Sequence, residues 1–383
     1  MSISQLPEDL LAEVLVRLPR RLLSRFNCVS KSWKDLISCK YFINRHKNSS
    51  HHENSKILLL VDKREYSSFY TVELDSLPGN KLRTAKLKLP HPFKTRVKRI
   101  SGCCNNFLCL CYSENQIVLS NLISRKYWVL PDAIDPSFPE LDQGNYGVSY
   151  VYGFGYDDIN DDYKVVKVAC LVRVTVHLIL SHEVQIYSLK SNPWRRLPKF
   201  SGRLIYKDGK LVNHALHWMT VDGNILALGL KTESYETIPQ PKEVSEELES
   251  FKKTRVLGVV ENCLCVMYAH KSTSLLHLWI MKDYGVQDSW TKVVVKGFPM
   301  CSPYGINPFL QPISYSHIQI NQIFFHDMEY VYAYDTKNQT LQKAASFKST
   351  TTYIKSSAYP LMLSSSGDSS TLVEPWSCWS NPI

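Results

Sequence analysis

The sequence predicts a small all-α segment followed by a large all-β domain, and two observations carry that prediction. In the opening segment apolar residues recur at helical spacing, whereas farther along the chain they alternate with a period of two. Aligned against itself, the long second part shows one hairpin signature six times. The composition, 44% hydrophobic and 21% charged over 383 residues, is that of a globular chain able to bury a sizeable core.

The first element lies in "LPEDLLAEVLVRLP", Leu6 to Pro19. Pro7 suits a first helical turn, and Glu8 and Asp9 complement the positive N-terminal end of the helix. Leu10, Leu11, Val14, Leu15 and Leu18 then form a wide apolar stripe that Pro19 terminates. A second short helix is expected over Leu22, Leu23, Phe26 and Val29. Ser30 is the expected N-cap of a third, which carries Trp33, Leu36 and Ile37. Three short helices in so few residues have more apolar face than they can bury among themselves, so another protein is expected to cover the surplus. The same segment is no secretory leader, because Glu8, Asp9 and Glu13 interrupt it and no small-residue cleavage site follows. The chain is therefore expected in the cytoplasm or nucleus.

The hairpin signature is clearest in "IVLSNLISRKYWVLP" from Ile117, "VQIYSLKSNPWRRLP" from Val184 and "ILALGLKTESYETIP" from Ile225. Looser copies begin at Phe69, Leu276 and Tyr330. Each reads as an alternating strand, a polar turn, a second strand and, in the clearest three, an aromatic residue and a Leu or Ile before Pro. Another apolar strand precedes several copies, as in "NNFLCLCY", "HALHWM" and "NCLCVMY". Three to four strands per unit, with starts spaced around fifty residues, predict an irregular six-bladed β-propeller-like repeat; a β-sandwich is the alternative that the degenerate copies leave open. The run from Val165 to Leu180 belongs with these strands. Lys167, Arg173 and His177 interrupt it as a membrane span, and Val168, Cys170, Val172, Val174, Val176, Leu178 and Leu180 alternate.

Three connections break the strand rhythm with Pro, Gly and charge: Asp132 to Gly147, Lys242 to Lys253 and Pro299 to Pro312. As surface loops they are the expected contacts with a recognised protein, through Asp135, Phe138, Tyr146, Glu246, Tyr304 and Phe309. The expected organisation is a helical segment over 1–46, a linker over 47–56, the β domain over 57–363 and a flexible tail over 364–383, in which Trp376 and Trp379 have no assigned role.

No motif for catalysis, a phosphate loop, a cofactor or a metal stands out. Cys109 and Cys111, like Cys263 and Cys265, sit two apart on apolar strands, a spacing suited to packing rather than to zinc. His214 and His217 are expected on opposite faces of a strand, which defeats joint ligation. The formal charge of +10 and the cluster Lys81, Arg83, Lys86, Lys88, Lys94, Arg96, Lys98 and Arg99 raise nucleic-acid binding. Their alternation with apolar residues reads instead as a solvated strand face.

The stretch from Leu6 to His46, with Leu-Pro, a Leu/Val helix, a second Leu-Pro and "FNCVSKSW", resembles an F-box. "YGFGYDDINDDYKVVKV", "VQIYSLKSNPWRRL", "ALHWM" and "LWIMKDYGVQDSWTKV" are similar to segments of the kelch-like F-box-associated domain (FBA type 1) of plant proteins, near the branch of S-locus and immune-receptor-regulating F-box proteins. The resemblance implies a non-catalytic substrate receptor of an SCF ubiquitin ligase. The F-box would bind a Skp1-like adaptor and through it cullin-1 and a RING protein, while the β domain holds a protein substrate; the alternative is an interaction scaffold outside such a complex. By position in the motif, the resemblance assigns Leu6, Pro7, Leu10, Leu18, Pro19, Leu22, Val29 and Trp33 to the adaptor interface or its immediate support, with Trp33 open between direct contact and core. One departure is "NNFLC", where the family has Asn-Gly-Leu-Leu-Cys; Asn105 tolerates the positive φ that such a turn requires.

Overall fold

A computed structural model describes residues 8–16, 18, 23, 26, 29–39, 41–42, 57–62, 68–73, 84–87, 89, 92–93, 95, 97–105, 107–122, 125–175, 178–205, 208–243, 255–260, 262–269, 275–298, 310–313, 322–326, 330–346 and 350–354. Two α-helices occur among these residues where three were expected: α1 (Glu8–Val16) and α2 (Lys31–Ser38). Of the expected middle helix, only Leu23, Phe26 and Val29 are described. Ser30 caps α2 as anticipated, its hydroxyl accepting from the Trp33 N–H at 3.2 Å. Ala12, Leu15, Val16, Leu23 and Phe42 form the helical core, and Phe26 meets Trp33 edge-on at 5.5 Å.

The strands described after the helical segment all pair antiparallel. The first three strands are β1 (Ile57–Asp62), β2 (Ser68–Glu73) and β3 (Thr84–Leu87). β4 (Arg99–Cys104), β5 (Phe107–Cys111), β6 (Ile117–Asn121) and β7 (Tyr127–Val129) make one sheet. β8 (Tyr146–Asp157), β9 (Asp162–Arg173), β10 (Leu178–Ser188) and β11 (Trp194–Leu197) make the next. Then come β12 (Lys210–Val212), β13 (Ala215–Met219), β14 (Ile225–Gly229) and β15 (Tyr235–Ile238). β16 (Val256–Val260), β17 (Cys263–Ala269), β18 (Leu276–Met281) and β19 (Trp290–Val295) follow. β20 (Gln311–Ile313), β21 (Gln322–His326), β22 (Tyr330–Asp335) and β23 (Thr340–Ser346) precede β24 (Thr350–Ile354).

The domain is a β-propeller, not a sandwich. Contacts between sheets run from first strand to first strand, β4 to β8, β8 to β12, β12 to β16 and β16 to β20, as they do around a central axis. Five sheets are blades of four consecutive strands; the expectation of six such blades in a row gives way to a composite sixth sheet, ordered β24-β1-β2-β3. Leu58 to Asp62 pair with Thr350 to Ile354, so the chain closes on itself.

The six copies found by self-alignment are the outer hairpins β2–β3, β6–β7, β10–β11, β14–β15, β18–β19 and β22–β23. Their signature residues tie neighbouring blades together. Trp194 donates its indole N–H to the Pro131 carbonyl at 2.8 Å, and Trp290 donates to Pro239 at 2.9 Å. In both pairs the proline ends the fourth strand of the preceding blade, after buried Leu130 or Ile238. The inner hairpins turn on residues at positive φ: Asn105 at 45°, Asn213 at 45° and Asn262 at 62°. Gly153 and Gly155 lie inside β8 rather than at its start, where a Cβ would come within 2.8 Å of Leu216 and 2.6 Å of Leu230. Their missing side chains let this strand close onto the β12–β15 blade.

Candidate interaction surfaces

The stripe on the first helix divides in the structure. Leu15 is buried and Leu11 and Leu18 pack beside it, whereas Leu10 and Val14, one helical turn apart, are each 53% exposed. Val29 and Tyr41 are exposed as well. Of the residues expected to bind an adaptor, Leu10 and Val29 therefore present apolar surface. Leu18 and Trp33 pack partly buried against the helical core. Leu6, Pro7, Pro19 and Leu22 lie outside the described residues.

Four antiparallel strands per blade put first-to-second and third-to-fourth turns at one end of the propeller. Second-to-third turns and the connections between blades emerge at the other. Asp132 to Gly147, the first of the loops singled out as contacts, connects β7 to β8 and so lies at that second end; of the other two loops only 242–243 and 310–312 are described. Within the first loop, Asp135 is exposed and its carbonyl accepts from Arg196 Nη2 at 3.1 Å. Tyr146 is half-buried under the Arg173 guanidinium, 5.7 Å from the ring centre. Phe138 is a correction: it is buried against Ala169 and Leu171, and so it pegs the loop down instead of presenting it. Glu246, Tyr304 and Phe309 lie outside the described residues.

Sequence reasoning missed two features at this end. The alternating run from Val165 is two strands, β9 and β10, and not one with a single buried face. The turn after Arg173 and an irregularity between Ile179 and Ser181 change the phase, burying Ile179 and exposing Val174, Leu178 and Leu180. The second feature is a polar tie near the axis. Arg99 Nη1 donates to the Tyr150 carbonyl at 2.9 Å and to Asp208 at 3.1 Å, and Asp208 also accepts from the Tyr152 N–H at 3.0 Å. Burial raises the Asp208 pKa, against the pull of Arg99. Arg99, although 41% exposed, is thus tied to the next two blades by hydrogen bonds. Of the remaining basic cluster only Lys86 and Lys98 are described; both are exposed, and Lys98 pairs with Glu114.

Other polar residues serve the frame. Lys167 is buried, donates to Asn115 Oδ1 at 2.8 Å and lies over the Tyr150 ring; burial lowers its pKa. Lys164 bridges Asp157 and Glu233 at 3.0 Å each, and Arg195 also reaches Glu233. Burial alone would raise both carboxyls. Hydrogen bonds from Asn160 and Lys164 outweigh it at Asp157, those from Arg195 and Lys164 do so at Glu233, and both pKa values end below the ordinary range. His217 is buried between the Lys210 carbonyl and the Tyr284 hydroxyl, while His214 faces Asp158 on an exposed turn. Cys109 and Cys111 share one buried cluster. Among the described residues no group of three His, Cys, Asp or Glu side chains is assembled to hold a metal ion, and no helix is long and apolar enough to cross a membrane.

Comparison with known proteins supplies the context for both surfaces. A family model described as the F-box domain matches residues 3–45, and one described as the F-box associated beta propeller domain matches residues 56–360. The chain is 28% identical over 340 residues to F-box protein CPR1 of Arabidopsis thaliana, covering 81% of this chain and 77% of that one. It is 26% identical to F-box/kelch-repeat protein At3g23880 of the same plant, over 80% of this chain and 82% of the relative. F-box protein At2g40925, also from Arabidopsis thaliana, is 23% identical over 88% and 86%.

Proposed function

This chain belongs to the F-box proteins that carry an F-box associated β-propeller, and from that premise we propose that it is the substrate-recognition subunit of an SCF ubiquitin ligase. In this reading the helical segment binds a Skp1-like adaptor, and through it cullin-1 and a RING protein. The propeller, whose six sheets we read as six blades, holds the protein to be ubiquitinated. The chain itself is non-catalytic. Holding a substrate beside a charged conjugating enzyme raises the effective concentration of the acceptor lysine, and geometry is all that this requires. The reading implies a cytoplasmic or nuclear protein.

One observation carries it: Leu10 and Val14 point outward from a helix whose other face is already buried, within the F-box match. An apolar pair of this kind is costly to leave in water and fits a hydrophobic partner. Co-expression with a Skp1-like adaptor is expected to yield a co-purifying complex, and Leu10→Asp with Val14→Asp to abolish it. Because both side chains are exposed, the thermal unfolding of the propeller is expected to stay unchanged. A double variant that still co-purifies would falsify the interface. A wild-type chain that never binds the adaptor would favour a scaffold outside an SCF complex.

A further inference from the structure

The residues that lead into β12 run along the inner edge of β8, the edge that no strand of its own sheet covers. There the Tyr152 N–H donates to Asp208 Oδ1 at 3.0 Å, and the Tyr152 carbonyl accepts from the Gly209 N–H at 2.6 Å. The same Asp208 oxygen accepts from Arg99 Nη1 at 3.1 Å, although Arg99 begins β4 and the blade β8–β11 stands between the two. Blades two apart touch only across the axis, so this segment lies in the central opening of the propeller. Arg99 and Lys210 both stand where a first strand begins, at the end from which the inter-blade connections emerge.

Lys210 is the charge in this group that nothing engages. Its carbonyl accepts from His217 Nδ1 at 3.1 Å, but among the described residues its ammonium has neither a hydrogen-bond nor an ion-pair partner. Lys210 is half-buried, and the side chains of Asp208 and Arg99 are 17% and 41% exposed, so solvent reaches all three. Burial lowers the Lys210 pKa in spite of the Asp208 charge, as expected of an ammonium that is enclosed without a contact partner. The other charges beside it are matched. Arg99 has Asp208, and Lys98, next along the chain, has Glu114 at 3.5 Å. Arg255, just before β16, is a separate charge, buried against Gly223 and Gln240. The axial opening at this end thus holds one unmatched positive charge.

We infer that this opening is a binding site for one carboxylate, with the Lys210 ammonium donating to it. A cleft with low-dielectric walls focuses the field of an unmatched charge and draws in an ion of opposite sign. One such charge beside the Asp208 carboxylate suits a monoanion, whereas a phosphate group carries nearly two negative charges at neutral pH and exceeds it. The carboxylate comes from an Asp or Glu side chain of a bound protein or from a small organic acid, and the chemistry at Lys210 is the same. The site goes beyond the receptor reading and does not depend on it. Under that reading, it puts an acidic contact at the end where the first inter-blade loop lies.

The test follows thermal unfolding of the full chain in sodium acetate, sodium chloride and sodium phosphate at equal ionic strength. Acetate is expected to raise the unfolding temperature along a saturating curve, and chloride and phosphate are not. Lys210→Met is expected to weaken the apparent acetate affinity at least about tenfold, the loss of a hydrogen bond to a charged group, and Lys210→Arg to keep it. Because Met retains the stem and the ammonium has no partner to strand, Lys210→Met should unfold no earlier than the natural chain in chloride. A second arm uses a short acetylated and amidated peptide with one central Glu, and its Gln twin. Stabilisation by the Glu peptide and not by its twin assigns the carboxylate to a protein side chain; stabilisation by acetate alone assigns it to a small acid. Equal responses to acetate and chloride, an acetate response unchanged in Lys210→Met, a stronger response to phosphate, or earlier unfolding of Lys210→Met in chloride would each overturn the inference. Co-purification with the adaptor reports separately on the receptor reading.

Discussion

His217 shows how one residue couples this fold to pH. It makes no contact with water, and burial takes its pKa from 6.5 down to about 4; His182, buried under Phe200 and repelled by Lys199, falls to about 4 as well. Both are neutral in the folded chain and protonate near 6.5 when it unfolds. Between those values the unfolded state binds more protons, so stability is complete above about pH 6.5 and falls as the pH drops toward 4. Asp157 and Glu233, held below the ordinary carboxylate range, weaken the fold only at still lower pH. The unfolding temperature is therefore expected to decline through the 6.5-to-4 window, and His217→Gln to remove about half of that slope, because the two shifts are alike. The sequence placed His214 and His217 on one strand, whereas His214 lies on the turn before β13 and only His217 is within it. Burial was the part it could not reveal, because Tyr284 arrives from another blade.

At the scale of elements, the outer hairpins were legible because each carries a polar turn, an aromatic and an apolar-Pro pair within fifteen residues. The structure gives the pair its reason: the carbonyl of that proline receives the next blade's indole at Trp194 and Trp290. Trp290→Phe keeps most of the volume but strands the Pro239 carbonyl, so the urea midpoint is expected to fall by the equivalent of about 1–3 kcal/mol with no change in slope. The inner hairpins were harder to read. A strand such as β16, "VLGVV", is buried on both faces and has no period to betray it. On the first helix the sequence showed one apolar stripe, but it could not divide Leu10 and Val14 from Leu11 and Leu15. That division depends on where Leu23 and Phe42 pack.

At the scale of the whole molecule, the feature with no local signature is closure. Nothing in "ILLLVD" announces that its partner is "TTTYI", because pairing across most of the chain leaves no mark in any short window. A chain ending before Thr350 is expected to lose cooperative unfolding, since β1 would then present a bare edge where a strand belongs. Broadened calorimetric transitions and rising light scattering would register that loss. The same closure sets a clock on synthesis. A ribosome adding about 5–20 residues per second would make β1 roughly 15 to 60 seconds before its partner exists. Throughout that interval the helical segment has emerged with Leu10 and Val14 exposed while the propeller remains an open chain. Under the receptor reading proposed above, the segment that would bind the adaptor is therefore made well before the surface that would hold a substrate is complete.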